Sequence, residues 1–177
     1  MNRSIIFKMI IVTFAAWSVF IAVDFLLHAV IFAPWWKANG SYWLPPFELF
    51  NLIPFAYASF LINCFVLVWL IVRVYGDKPN LLKVISFGAI AGLFYGFSIT
   101  FANYSLFPMP NSSLFLWPLS FTIELTLVSI TARWVLIAKQ TLKRAMLCFL
   151  IAILIIVIGT VIQNIFPDYF NNVFQKV

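Results

Sequence analysis

The chain has 177 residues, of which 64% are apolar and only 9% are charged, and its mean hydropathy is +1.06. Soluble domains carry about a quarter charged residues and less than half apolar ones, so this composition excludes a water-soluble globule. The 21 Phe and 7 Trp residues also exclude an intrinsically disordered chain. The sequence is therefore that of a protein of the lipid bilayer.

The net charge of +6 comes from 11 Lys and Arg residues that are scattered over the ends of the apolar segments. Nucleic-acid binding needs a clustered basic face, so nucleic acid is not an expected partner. Cys64 and Cys148 both lie inside apolar stretches without a paired framework or a CxxC motif, so the sequence does not predict redox chemistry at either thiol.

Five segments are long and apolar enough to cross a membrane, which takes about 20 residues each. The pattern predicts an all-α integral membrane helical bundle in a single domain, with breaks at turn-forming residues. The predicted spans are residues 9–32, 52–72, 84–106, 114–132 and 145–166. The first segment is too long for a signal peptide and contains Asp24, so we interpret it as a retained helix.

Lys and Arg residues predict the orientation of the bundle, because cytoplasmic loops retain positive charge. A cytoplasmic N-terminus puts nine of the eleven basic residues inside and leaves Lys37 and Lys176 outside. With five spans, the C-terminus is then outside. We expect a multi-pass protein of the bacterial inner membrane.

The connection after the first span is rich in aromatic residues. Trp35, Trp36 and Trp43 fall at the predicted outer interface, where Trp is common. They indicate an interfacial anchor, with a lid over the bundle as the alternative.

The third span carries a stripe of small residues. Gly88, Gly92 and Gly96 recur at every fourth position and form two overlapping GxxxG units. Such a stripe allows close helix contact in lipid, so we expect this helix to be central in the bundle. The alternative is a contact with a second copy or with another membrane subunit.

The few polar residues within the spans are candidate functional groups, because charged side chains are costly in hydrocarbon. Asp24 and His28 are four residues apart on the first span, which brings them within hydrogen-bond reach of one another. Glu124 lies near the middle of the fourth span. The remaining candidates for a ligand-binding or proton site in the outer half of the bilayer are Asn103, Tyr104 and Glu48.

These polar residues allow three interpretations. They form interhelical hydrogen bonds that hold the bundle together, or they line a ligand or transport cavity, or they bind a metal or catalyse a reaction. Asp24, His28 and Glu124 are the ligands of any metal site. No HExxH, no Glu-x-x-His pair and no GxSxG pattern supports a particular enzyme, and no cofactor is predicted.

Three motifs in order resemble a family of small uncharacterised bacterial inner-membrane proteins. They are VDFLLH at 23–28, FANY at 101–104 followed by PMP at 108–110, and Glu124 in the next helix. The resemblance covers about the first 140 residues. It implies a compact helical membrane protein without an established activity.

A second motif, WLPPFELF at 43–50, is similar to the entry to the second helix of the translocator-protein family of tryptophan-rich sensory proteins. That resemblance implies five spans and binding of porphyrins or sterols. The later tryptophans of that family are missing here.

The sequence thus favours a non-enzymatic membrane protein over an enzyme. An accessory subunit of a larger membrane complex is the first hypothesis. A binder or transporter of a small hydrophobic or cationic ligand is the second, and a metal-dependent membrane enzyme is the third.

Overall fold

The computed structural model describes residues 3–38, 46–106 and 109–166, with the side chains of residues 3–4, 36–38 and 46–50 left aside. All regular secondary structure in these ranges is helical. The helices are α1 (Arg3–Asp24), a π-helical segment (Phe25–Ile31), α2 (Ala33–Ala38), α3 (Pro46–Tyr75), α4 (Leu81–Leu106), α5 (Ser113–Leu136) and α6 (Thr141–Ile165). Five of them are long and apolar enough to span a membrane, as the hydropathy pattern predicts.

The bundle is organised around α1 and α5. Helix α1 packs against α3, α5 and α6, and α5 also contacts α3, α4 and α6. Val12 and Phe20 of α1 meet Val68 of α3 and Val128 and Val135 of α5 in one buried cluster. The outer faces of α3 and α6 are apolar and exposed, as expected for helices that face lipid.

Helix α4 contacts α5 along its glycine stripe. Gly88, Gly92 and Gly96 are all buried in this contact. A Cβ atom added at Gly88 would lie 2.7 Å from the carbonyl oxygen of Leu125, and one added at Gly92 would lie 2.6 Å from Cα of Thr122. Only glycine allows the two backbones to approach this closely.

The position of α4 differs from the expectation that it is central. Among the described residues, α4 packs extensively against α5 alone, and α1 takes the central place. The glycine stripe identifies a close contact but not the number of neighbours, because one partner helix is sufficient to fill the groove.

The turn between α3 and α4 is formed by two residues suited to helix ends. Gly76 ends α3 with a φ of +75°, and its N–H donates to the Val72 carbonyl over 3.0 Å. This is the left-handed conformation that favours glycine after a helix. Asn80 then caps α4, since its side-chain oxygen accepts from the N–H of Leu82 at 2.9 Å.

The helix ends that carry basic residues gather at one end of the bundle. Arg133 at the end of α5 donates to the Pro79 carbonyl before α4 over 2.9 Å, and Arg144 of α6 donates to the Trp134 carbonyl over 2.7 Å. Lys8 of α1 and Lys139 line a surface cleft at this same end. We call it the basic end of the bundle.

The first span is not a continuous α-helix. After Asp24 the chain continues as a π-helix, and the N–H of Phe32 donates to the carbonyl of Leu27, five residues earlier, over 2.7 Å. This segment was not expected from the sequence, whose apolar pattern is the same on both sides of Asp24. Single π-helical turns in α-helices are rare and often mark functional positions.

We predict that Gly92→Ala lowers the free energy of unfolding by about 1–3 kcal/mol, because the added methyl group meets the α5 backbone and cannot be accommodated by a rotamer change. Denaturant or thermal unfolding in detergent micelles measures the change. The matched control is Ser98→Ala, an exposed position of the same helix. Equal stability of the two variants would contradict the close α4–α5 contact.

Candidate functional site

Three ionisable side chains from two helices meet in the bundle. His28 Nε2 lies 3.8 Å from Asp24 Oδ1 and 3.5 Å from Glu124 Oε1. Asp24 ends α1, His28 lies in the π-helical segment, and Glu124 lies at the middle of α5. One imidazole nitrogen therefore faces two carboxyl groups.

Glu124 is the most enclosed member of this group. Its side chain is 0% exposed, whereas those of His28 and Asp24 are 27% and 22% exposed. Neither carboxylate oxygen of Glu124 accepts a hydrogen bond from the described residues. A buried carboxyl without a hydrogen bond costs free energy, so a proton or a bound cation is needed to compensate it.

The direction of Glu124 follows from the way α5 packs on α4. Leu125 and Thr126 lie against Gly88, and Phe121 and Thr122 lie against Gly92. Residue 124 is on a different face of the helix from these four, because successive residues are rotated by about 100°. The α4 contact thus leaves Glu124 free to point at α1 and the π-helical segment.

Helix α6 supports the π-helical segment from the other side. Gln163 Nε2 donates to the Ala29 carbonyl over 2.8 Å. The residue whose N–H would continue the π-helical pattern from Ala29 is Pro34, which has no N–H. Gln163 supplies a donor to that carbonyl.

Gly159 brings α6 close to the same segment. A Cβ atom at residue 159 would lie 2.6 Å from Cε1 of Phe25 and 3.2 Å from Cγ2 of Val30. Sequence analysis missed both Gly159 and Gln163 and left the fifth span without a role. Their spacing of four residues, which puts a small and a polar residue on one face of an otherwise apolar helix, is the signal that identifies them.

Two other predicted site residues form hydrogen bonds elsewhere. The Asn103 side chain donates to the Ile99 carbonyl of its own helix over 3.0 Å. The Tyr104 hydroxyl donates to Asn111 over 2.7 Å, and its side chain is exposed. The structure therefore ties both residues to the α4 end and the following turn rather than to Glu124.

The remaining predicted positions are described only in part. The backbone of Glu48 lies in the first turns of α3, but its side chain lies outside the described ones, as does that of Trp36. Trp35 is half-buried in α2, and Trp43 lies outside the described residues. An anchor or a lid at these tryptophans stays a prediction.

The donor atoms of the three clustered residues fit a metal ion. One ligand atom from each of Asp24, His28 and Glu124 lies within 4.8 Å of the others. An imidazole nitrogen with carboxylate oxygens is a common donor set for zinc and related metals. The same groups are also able to exchange a proton or to bind an organic cation.

The surface cleft at the basic end is distinct from this cluster. It is lined by Phe7, Lys8 and Ile11 together with residues 138–143 and Met146. Lys8 and Asp24 are 16 residues apart on α1, which corresponds to about 24 Å along the helix. The cleft is therefore not an entrance to the cluster.

Comparisons with protein-family models, with curated proteins and with solved structures found no match to this chain. The class of protein is thus defined by its own architecture, a helical bundle with five candidate membrane helices. The two family resemblances noted in the sequence stay predictions.

We predict that Gln163→Leu lowers the free energy of unfolding by about 1–3 kcal/mol, because the Ala29 carbonyl loses its donor within an apolar bundle. Asn164→Leu is the control, since this exposed neighbour donates only to Thr160 of its own helix. Thermal unfolding of both variants in one detergent compares them. A loss in the Asn164 variant as large as that in the Gln163 variant would show that the hydrogen bond to Ala29 contributes nothing.

Proposed function

We propose that this protein binds a cationic ligand inside the membrane at Asp24, His28 and Glu124, which we call the acidic cluster. The observation that supports the proposal is the state of Glu124, a fully buried carboxyl group that accepts no hydrogen bond from any residue the structure describes. A carboxyl group used only to hold helices together is expected to accept hydrogen bonds across the interface. A group that awaits a ligand keeps its oxygens available.

The charges of the cluster determine the kind of ligand. Two carboxylates and one imidazole attract a cation and repel an anion, and the low dielectric of the bundle strengthens this preference. Charged side chains in the hydrocarbon cost about 2.5–3.5 kcal/mol each on insertion scales, so a bound positive charge offsets much of that cost. A neutral hydrophobic ligand leaves it uncompensated.

Access to the cluster is from the side of Asp24 and His28, whose side chains are partly exposed. Both residues lie toward the end of the first span that is opposite to the basic end. A ligand arriving from this side reaches His28 before it reaches Glu124. The role of the protein is then to take up a cation on one face of the membrane.

We infer that the basic end faces the cytoplasm of a bacterial cell, with the N-terminus inside and the C-terminus outside. The support is the excess of Lys and Arg at one end of the bundle, as the positive-inside rule requires. The acidic cluster then belongs to the outer half of the inner membrane.

An accessory-subunit role in a larger membrane complex stays a prediction. The glycine stripe, which was one possible contact surface, faces α5 of the same chain. Large apolar side chains are exposed on other faces of the bundle, including those of α3, α4 and α6, and such a face could contact another subunit or a second copy.

We predict that cation binding depends on the charge of Glu124. Thermal unfolding of the purified protein in detergent, with Na⁺, Zn²⁺ or tetraphenylphosphonium added in turn, measures binding as a rise in Tm. At least one of the three cations should raise the Tm of the wild type. Glu124→Gln should remove that rise while retaining the helical circular-dichroism spectrum.

Asp77→Asn is the matched control, because it removes one carboxylate from an exposed turn at the opposite end of the bundle. Its response to the cations should equal that of the wild type. A wild type that responds to none of the three cations, or a Glu124→Gln variant that responds fully, would contradict the proposed function.

We predict the orientation from the same charge pattern. Alkaline phosphatase, which folds only outside the cytoplasm, should be active when fused after Asn111 and inactive when fused after Asp77 or Lys139. The opposite set of activities would place the basic end outside. Expression levels of the three fusions, determined by immunoblotting, control for unequal amounts.

A further inference from the structure

We propose that the cation bound by the acidic cluster is a divalent transition-metal ion of the zinc class. This inference rests on the proposed function and names its ligand. The protein ligands are Nε2 of His28 and one carboxylate oxygen each from Asp24 and Glu124.

The spacing of these atoms supports a small ion. A tetrahedral zinc ion has bonds of about 2.0–2.1 Å, so its ligand atoms are about 3.3 Å apart. The two distances from His28 Nε2 are 3.5 Å to Glu124 and 3.8 Å to Asp24. Both distances are within about 0.5 Å of the tetrahedral value. All three donor atoms, including the two carboxylate oxygens, lie within 4.8 Å of one another, so the ligands have to close around the ion when it binds.

The donor types select among the divalent ions. Mg²⁺ and Ca²⁺ prefer six or more oxygen ligands, which three side chains with one nitrogen do not provide. Imidazole together with carboxylates suits zinc and its neighbours in the first transition row. The nitrogen ligand and the small number of ligands therefore favour zinc-class ions over Mg²⁺ and Ca²⁺.

The charge balance also favours a divalent ion. Two carboxylates with a neutral imidazole carry a charge of −2, which a divalent ion neutralises and a monovalent ion leaves half compensated. The residual charge matters most at Glu124, which has no exposure to solvent. Metal binding also gives the Glu124 carboxylate oxygens a bonding partner in place of the hydrogen-bond donor that the described residues do not supply.

Three protein ligands leave one position of the tetrahedron open. Asp24 and His28 are partly exposed and Glu124 is buried, so solvent reaches the cluster from the side of Asp24 and His28. Closed structural zinc sites have four protein ligands, whereas three ligands with an open position are typical of ions that exchange or react. The bound ion is thus accessible to exchange.

The ligand segment is held by α6. Gln163 fixes the carbonyl of Ala29, the residue next to His28, and Gly159 packs on Phe25, the residue next to Asp24. These contacts position two of the three ligands without touching the ion. Gln163 and Gly159 are therefore positioning residues of the site.

The test is a calorimetric titration of the purified, chelator-treated protein in detergent with ZnCl₂. Metal analysis of the loaded protein then gives the number of ions bound. We expect one Zn²⁺ per chain. Glu124→Gln and His28→Gln should each weaken Zn²⁺ binding by about 100-fold or more. Loss of a residue that only hydrogen-bonds to a metal ligand costs about 10- to 100-fold, and loss of a ligand itself costs more. Asp77→Asn should bind as the wild type does.

Cobalt gives a second readout that does not depend on stability. Co²⁺ bound in place of Zn²⁺ should show the intense visible absorption of four-coordinate cobalt, and that absorption should disappear in Asp24→Asn. Excess MgCl₂ should not displace it. Circular dichroism of each variant verifies that the helices remain folded.

Failure of this inference is distinguishable from failure of the proposed function. If the folded wild type takes up no Zn²⁺, or if Glu124→Gln and His28→Gln bind it as tightly as the wild type, the metal assignment is wrong. The proposed function still stands if Na⁺ or tetraphenylphosphonium raises the Tm of the wild type but not of Glu124→Gln. The proposed function is wrong only if none of the cations raises the Tm in a way that depends on Glu124.

Discussion

The arrangement of this bundle depends on one constraint, a fully buried carboxyl group that accepts no hydrogen bond within the described part of the chain. Glu124 is fully buried, and its polar neighbours are His28 at 3.5 Å and, beyond it, Asp24. Hydrocarbon offers no alternative partner to such a group. The helices that carry these three residues therefore have to be placed accurately, and the packing of the other helices can be understood as the means of placing them.

Close helix contacts at glycine residues position the three side chains, with one contact on each side of the cluster. On one side, Gly88 and Gly92 fix α5 against α4 and thereby direct Glu124 toward α1. On the other, Gly159 fixes α6 against the π-helical segment that carries His28. In a membrane the hydrophobic effect does not drive helices together, so backbone approach at small residues is the available means of setting a precise distance. Stability and the geometry of the cluster are consequently coupled in this protein, because a substitution that separates the helices also separates the side chains of Asp24, His28 and Glu124.

The five candidate membrane helices could be predicted from the sequence, but their arrangement could not. The spans follow from runs of apolar residues, and the proximity of Asp24 to His28 follows from their spacing. The central place of α1 did not follow, because membrane helices are apolar on every face and show no stripe that points to the core. The π-helical segment could not be predicted from the sequence either, since its apolar residues are equally compatible with an α-helix. The structure was needed to bring Glu124, 96 residues from His28 in the chain, to the same point.

The π-helical segment, Pro34 and Gln163 form an interdependent set. In an α-helix the carbonyl of residue i accepts from the N–H of residue i+4, whereas in a π-helix it accepts from residue i+5. For Ala29 the π-helical donor would be Pro34, which has no N–H. The carbonyl would then be unpaired in an apolar environment at a cost of about 1–3 kcal/mol. Gln163 removes this cost through a bond from another helix, and Gly159 one turn earlier permits the approach that the bond needs. The presence of Gln163 and Gly159 on an otherwise apolar α6 indicates that the unusual backbone at Asp24 and His28 is supported from outside the first span.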